Sequence, residues 1–279
     1  EDPLVSLFAV ARRRPPLINR GYWIRAVVMD TVTRWFLESF ARQEPSQVLS
    51  LGAGFDASFF RLSAAGELPA GCRYYEVDFD DAVARKRALI DSDERLRRLV
   101  STDDSRDAAH FVAVGADLRD LPAVEAALAA AAPPLDVQRP TLVLAEVALA
   151  YLSAEEADAV LRWVSSRLPR SVVCVYEQVA QQDAFGRIMC AHYAGIDSPL
   201  GAPQRYATVA SLAARLSDCG LAPLHALDLN ELLAGLPLEQ RRKAYSLELF
   251  DEFEEWRLKC AHYAVCCGAG PGLSEALGA

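Results

Sequence analysis

Four acidic residues, each just past or at the end of an apolar run, are the part of this 279-residue chain best suited to chemistry: Asp56, Asp78, Asp117 and Glu146. In open α/β sheets the ligand crevice lies outside the carboxyl ends of the strands, so acids placed there converge on one site. A carboxylate in that crevice can accept hydrogen bonds from ribose hydroxyls or an exocyclic amine, and can balance a bound cation. The first run, Val48-Leu-Ser-Leu-Gly-Ala-Gly-Phe-Asp-Ala57, carries Gly52 and Gly54 at its end. Glycine lets a nucleotide-like ligand approach the backbone, and Asp56 and Ser58 suit a helix start whose free amides face that ligand. The second run, Cys72-Arg-Tyr-Tyr-Glu-Val-Asp78, ends about twenty residues after the glycines, the spacing of a ribose-binding acid. Asp78 could also cap the helix opening at Phe79, and the two roles are compatible.

The elements that position these acids alternate. Strands end at Leu51 and Val77, a helix rich in Arg and Lys covers about 80–98, and a polar loop follows at Ser101–Asp107. A third strand spans His110–Gly115, and an alanine-rich helix runs through 123–132. Thr141–Glu146 is a fourth strand, Ser153-Ala-Glu-Glu a capping box for a helix to about Leu168, and Ser171–Glu177 a fifth strand. Apolar strands alternating with helices predict a parallel sheet covered on both faces.

Ahead of the sheet, residues 1–45 read as an N-terminal arm with Pro15-Pro16, then an amphipathic helix over Gly21–Phe40. That helix places Ile24, Val27, Val28, Thr31, Val32, Trp35 and Phe36 on one face, with Arg25 beside it. Residues 178–221 break the alternation, with helices near 185–193 and 204–218, and sit where a substrate lid or an ordinary helix pair would lie. Ala222–Asp228, a helix near 229–244 and a strand within Ala261–Cys267 predict an antiparallel hairpin on the sheet edge.

At 279 residues the chain could hold one large domain or two modest ones; its composition, 52% hydrophobic and 24% charged, is ordinary for a compact protein, and a net charge of −9 argues against a general polyanion-binding surface. Arg12–Arg14 with Arg20 and Arg25, and Arg85–Arg87 with Arg95, Arg97 and Arg98, could form local basic patches, although solvated helix faces give such runs too. No apolar run reaches the ~18 residues of a membrane span. The seven scattered cysteines, with no C-x-x-C pair, suggest reduced thiols and a cytoplasmic protein. The first residue is Glu1, so the natural N-terminus is expected upstream. P-loop and G-x-S-x-G motifs are absent. A dehydrogenase would want a third glycine where Ala57 stands, with bulky Phe59 and Phe60 beyond. Four histidines without a four-ligand spacing argue against a metal.

The motifs Leu49-Ser-Leu-Gly-Ala-Gly-Phe-Asp56, Tyr75-Glu-Val-Asp-Phe79, Gly115-Ala-Asp-Leu-Arg-Asp-Leu121, Leu144-Ala-Glu-Val-Ala-Leu149 and Tyr176-Glu-Gln178 together resemble the leucine carboxyl methyltransferase family. The resemblance runs from Asp2-Pro3 to about Cys267. It implies the seven-strand, Rossmann-like, doubly wound methyltransferase fold with an antiparallel C-terminal hairpin, and S-adenosylmethionine as cofactor with S-adenosylhomocysteine as product. One branch of the family methylates the C-terminal leucine of the type-2A phosphatase catalytic subunit. The other acts on a hypermodified guanosine, wybutosine, beside the anticodon of phenylalanine tRNA.

Pro16-Leu-Ile-Asn-Arg-Gly-Tyr22, Gln182-Asp-Ala-Phe-Gly-Arg187, Asp197-Ser-Pro-Leu200 and Phe250–Tyr263 look like the tRNA branch. That branch carries a kelch propeller, for which no repeat remains here, so a monomeric, isolated methyltransferase domain is expected. It is also credited with a methoxycarbonylation step, to which none of these residues is assigned. Carried over residue by residue, the resemblance implies that Arg25 meets the methionine carboxylate or the substrate. It places Gly52 and Gly54 in the glycine turn, Asp78 on the ribose, Asp117 with Leu118 at the adenine, and Glu146 near the methionine amine. Arg25 and Tyr151 would position the acceptor carboxylate. The lysine that the family uses for the cofactor carboxylate falls before Glu1.

Overall fold

The computed structural model describes residues 4–8, 13–40, 44–100, 110–179, 182–246, 248–275 and 277. Asp2-Pro3, Arg12 and the Ser101–Asp107 loop lie outside them. Seven strands form one sheet: β1 (Gln47–Leu51), β2 (Arg73–Asp78), β3 (His110–Gly115), β4 (Thr141–Glu146), β5 (Ser171–Gln178), β6 (Ala222–Asp228) and β7 (Tyr263–Ala269). Their order is β3-β2-β1-β4-β5-β7-β6. β1 to β5 are mutually parallel, while β7 runs antiparallel between β5 and β6. The predicted antiparallel pair is present, but its second strand enters the sheet and only β6 takes the edge.

Because side chains alternate across a strand, neighbouring apolar residues feed two cores. Leu49, Tyr75, Val143 and Val173 point into one core; Val48, Tyr74, Leu142 and Val172 point into the other. β1 is buried at all of its positions, as a strand covered on both faces must be.

A short helix α1 (Val5–Phe8) precedes α2 (Pro16–Phe40). α2 starts earlier than the periodicity predicts because Pro16 takes the first helical position, where its missing N–H costs nothing. Its buried face is Ile24, Val28, Met29, Thr33, Phe36, Leu37 and Phe40, while Thr31 and Trp35, expected inward, are exposed. Thr33 can turn inward because its hydroxyl donates to the Met29 carbonyl at 2.8 Å.

After β1 comes α3 (Ser58–Ala64). The helix expected over 80–98 is two, α4 (Asp80–Ser92) and α5 (Glu94–Val100), divided at Asp93, whose backbone is extended and whose carboxylate accepts from Arg95 N at 2.8 Å. α6 (Leu121–Ala130) follows β3, and α7 (Ala154–Arg167) begins in the predicted capping box at Ser153. Between β5 and β6 lie α8 (Ala184–Gly195), α9 (Ala202–Arg205) and α10 (Val209–Asp218); α10 packs against β6 and β7. The single helix expected near 229–244 is divided at Pro237 into α11 (Leu229–Gly235) and α12 (Leu238–Ser246), since the residue before a proline leaves the helical region. α13 (Phe253–Cys260) then leads into β7.

Candidate active site

The sheet order sets Asp117, Asp78, the Gly52–Asp56 turn and Glu146 along one carboxyl edge, at the ends of adjacent strands β3, β2, β1 and β4. At the turn, Gly52 and Gly54 have φ of +66° and +51°, a left-handed backbone that side-chain-bearing residues rarely adopt. A Cβ on Gly52 would come within 2.5 Å of the Ala148 Cβ, whereas one on Gly54 would meet nothing within 4 Å. Gly52 is therefore needed for close packing, and Gly54 faces open space. Gly54 N donates to Asp78 Oδ2 at 2.6 Å and Phe79 N donates to Oδ1 at 2.7 Å, so Asp78 both braces the glycine turn and tethers the start of α4. Asp56 accepts from the Ser58 amide and hydroxyl at 3.1 and 2.8 Å, fixing the first turn of α3.

A fully buried pair supports this turn from below. Lys86 of α4 donates to Glu76 of β2 at 2.5 Å and to the Asp56 carbonyl at 2.6 Å, and both side chains are 2% exposed. Burial pushes the Glu76 carboxyl up to about 8 despite Lys86. Sequence reading missed Lys86 because its run of arginines and lysine looked like a solvated face.

Arg25 reaches from α2 to Glu146, its Nε donating to Oε1, with its guanidinium 5.6 Å from the Tyr176 ring centre. Burial raises the Glu146 carboxyl above the ordinary range, and Arg25 opposes that rise. Burial also works against the charge on Arg25, but Glu146 outweighs it and leaves the guanidinium more basic than usual. The next residue, Val147, has φ of +58°, a strained setting for a β-branched side chain, as is common where backbone shape serves a site.

Asp117, just past β3 as the strand pattern sets it, has a partner two residues on. Arg119 grips it with Nε at 3.0 Å and Nη2 at 2.6 Å, which lowers its pKa chiefly through that hydrogen bonding. No hydrogen bond or ion pair among the described residues joins it to the other acids. Leu118 packs against the apolar core under β3 and α6.

Beside Arg25 opens a cavity of about 510 Å³. α2 lines it with Ile18, Gly21, Tyr22 and Arg25, an i, i+3, i+4, i+7 stripe on one helix face. Tyr151, in a 3-10 turn after β4, stands opposite with Tyr193 of α8, ring centres 6.2 Å apart. Tyr176 of β5 and Tyr263 of β7 form a second aromatic pair at 5.9 Å. Gln178 donates to the Tyr193 hydroxyl at 3.0 Å, and α13 contributes Trp256, Lys259 and Cys260. The structure thus brings Arg25 and Tyr151 to one cavity and adds Tyr22, Tyr176, Gln178, Tyr193, Trp256, Lys259 and Tyr263. The helical spacing in Ile18–Arg25 and in Trp256–Cys260 was the available signal for the α2 and α13 walls.

A family model for leucine carboxyl methyltransferase matches residues 6–165. tRNA wybutosine-synthesizing protein 4 of Homo sapiens is 40% identical over 291 residues, covering 99% of this chain and 42% of that protein. The leucine carboxyl methyltransferase 1 homolog of Arabidopsis thaliana is 32% identical over 274 residues, covering 95% of this chain and 81% of that one. The chain thus spans about two fifths of the length of its wybutosine-synthesizing relatives, 42% and 40% in two mammals. Among solved structures, a DUF574 family protein from Streptomyces avermitilis aligns with a TM-score of 0.59 at 16% identity, over 90% of this chain and 82% of that one. Magnesium protoporphyrin IX methyltransferase from Synechocystis, solved with bound S-adenosylhomocysteine, aligns with a TM-score of 0.51 at 13% identity, over 95% and 92%. Sheet order and these likenesses define the class, the seven-strand methyltransferase fold. The chain itself belongs to the leucine carboxyl methyltransferase family.

Proposed function

We propose that this chain is an S-adenosylmethionine-dependent carboxyl methyltransferase acting on the wybutosine precursor of phenylalanine tRNA in the cytoplasm. The observation that carries the reading is the Arg25–Glu146 pair between the row of acids and an aromatic cavity. The row from Asp117 to Glu146 spans three strand spacings, roughly 15 Å, which suits an extended nucleoside with an amino-acid tail. The open space at Gly54 fits a ligand lying against the backbone. In that arrangement Asp117, shared with Arg119, accepts from the adenine amine, Asp78 from the ribose, and Glu146 faces the ammonium.

When bound, the cofactor supplies a methyl group on a cationic sulfur and leaves as S-adenosylhomocysteine. An acceptor carboxylate is already ionised near pH 7, so one O–CH3 bond forms as one S–CH3 bond breaks and no proton moves. This chain then contributes alignment and exclusion of water. Only Nε of Arg25 is engaged by Glu146, and its terminal nitrogens, without acceptors among the described residues, can grip the carboxylate of the cofactor's amino-acid tail. Tyr151 and Tyr193 close the cavity, and the 178–221 segment, through α8, serves as its lid.

The aromatic walls favour a planar heteroaromatic substrate. The second reading, esterification of the C-terminal leucine of the type-2A phosphatase catalytic subunit, is favoured by the similarity to leucine carboxyl methyltransferase 1 proteins over most of their length. Label from S-adenosylmethionine, offered in parallel to precursor tRNA and to a phosphatase C-terminal peptide, separates the two. Label on tRNA is expected, and label on the peptide alone moves the protein to the second reading.

A further inference from the structure

The chain has three lysines, and they differ sharply in setting. Lys86 is locked to Glu76, and Lys243 lies exposed on α12. Lys259 is half-buried in the cavity wall, and among the described residues no carboxylate or other acceptor lies within hydrogen-bond or ion-pair distance of it. Among the described residues no carboxylate lines the cavity, and Glu146, one residue before its Val147 wall, is held by Arg25. The Lys259 head lies against α2, with Nζ 3.1 Å from the point where a Cβ on Gly21 would stand, so the glycine makes room for it. One turn earlier on the same face, the Trp256 indole N–H is also buried without an acceptor. A partly desolvated ammonium with no counter-ion is unfavourable unless a ligand brings the anion. The cavity adds Arg13, Arg14 and Arg25, so it is cationic in a protein whose net charge is −9.

Resting on the carboxyl methyltransferase reading above, we propose that Lys259 is the substrate-binding residue that recognises the acceptor carboxylate, leaving Arg25 to Glu146 and the cofactor side. Esterification removes the negative charge from the acceptor. Lys259 therefore binds the acid and releases the ester, which makes it a device for product discharge as well as selection. Burial lowers its pKa below the ordinary lysine value, so this grip weakens at a lower pH than that of a solvent-exposed ammonium.

The test measures binding of an anticodon stem-loop bearing the precursor acid, and of its methyl ester, to the wild-type chain loaded with S-adenosylhomocysteine. A C-terminal leucine peptide as acid and as amide serves as the second pair. The wild type is expected to prefer the acid by about tenfold or more in at least one pair, as a charge-assisted contact gives. Lys259→Met should lose that preference while keeping S-adenosylhomocysteine affinity and melting temperature, and Lys259→Arg should restore part of it. Equal binding of acid and neutral form by the wild type, or an unchanged preference in Lys259→Met, overturns the inference even if methyl transfer is found. Absence of methyl transfer from the wild type to either acid sinks the functional reading, whichever way the binding falls.

Discussion

Arg25 joins the long N-terminal helix to Glu146 at the end of β4, so that α2, which lies outside the sheet, supplies the cation of a site the sheet builds. Arg25→Ala removes this cation and leaves Glu146 facing the crevice alone. Turnover should fall by about 100-fold or more, roughly 2.7 kcal/mol of barrier, while stability changes far less. Arg25→Lys should recover only part of the rate, because an ammonium cannot engage two partners as a planar fork does. Initial rates set beside thermal melts check this, and near wild-type turnover in Arg25→Ala with intact cofactor binding would remove Arg25 from the mechanism.

The two glycines of the turn should separate folding from binding. Gly52→Ala drives a Cβ into Ala148 and strains a left-handed backbone, which should cost about 3 kcal/mol of stability. Gly54→Ala meets no atom, so its stability cost should stay near the ~1 kcal/mol of the backbone strain while S-adenosylhomocysteine affinity falls by about tenfold. Melting curves and calorimetry on the two variants decide it. Equal stability losses would mean that the open space at Gly54 is not a ligand cradle.

Asp78 and Asp117 should also differ. Asp78 holds the glycine turn through Gly54 N, so Asp78→Ala should abolish measurable cofactor binding and lower stability by about 1–2 kcal/mol. Asp117 already has Arg119 as a surface partner, so Asp117→Ala should weaken binding by about tenfold with little change in stability. A reversed order in calorimetry would reassign the ribose and adenine ends.

Stability should fall as pH rises from about 5 to about 8. Burial lifts Glu177, beside Arg215, from 4.5 to about 7, and Glu76, beside Lys86, from 4.5 to about 8. The folded chain keeps protons that the unfolded chain releases near 4.5, so across that window deprotonation favours unfolding. Glu177→Gln removes one of the two titrations and should flatten the decline in urea midpoints. A midpoint that rises with pH over this range would contradict the burial effect.

Much of the site could be read from sequence because its parts are local. The glycine turn, Asp78 after β2 and Glu146 after β4 each follow an apolar run that ends on the ligand side of a parallel sheet. The capping box at Ser153 was readable for the same reason, as it joins residues three apart. Part of what stayed hidden depends on contacts between elements. Lys86 looked solvated until β2 was placed beneath it, whereas the Asp117–Arg119 grip is local, two residues apart, and was masked by the ligand role expected of the acid. The aromatic cavity gathers α2, β5, α8 and α13, whose meeting is set by the route of β7 into the sheet. The breaks at Asp93 and Pro237 were local signals that a continuous helical pattern concealed.

That route also orders events during synthesis. β7 is the last of this sheet's strands to be made, yet it lies between β5 and β6 and bonds to both. Until residues 263–269 leave the ribosome, β5 presents an unpaired, fully buried-type edge to whatever is nearby, and β6 has no partner in the sheet. The nascent chain must therefore carry the β1–β4 half of the sheet assembled and the cavity wall of β7 and α13 open for some thirty-five residues of translation after β6, a window in which a chaperone or a neighbouring nascent chain could find that edge first.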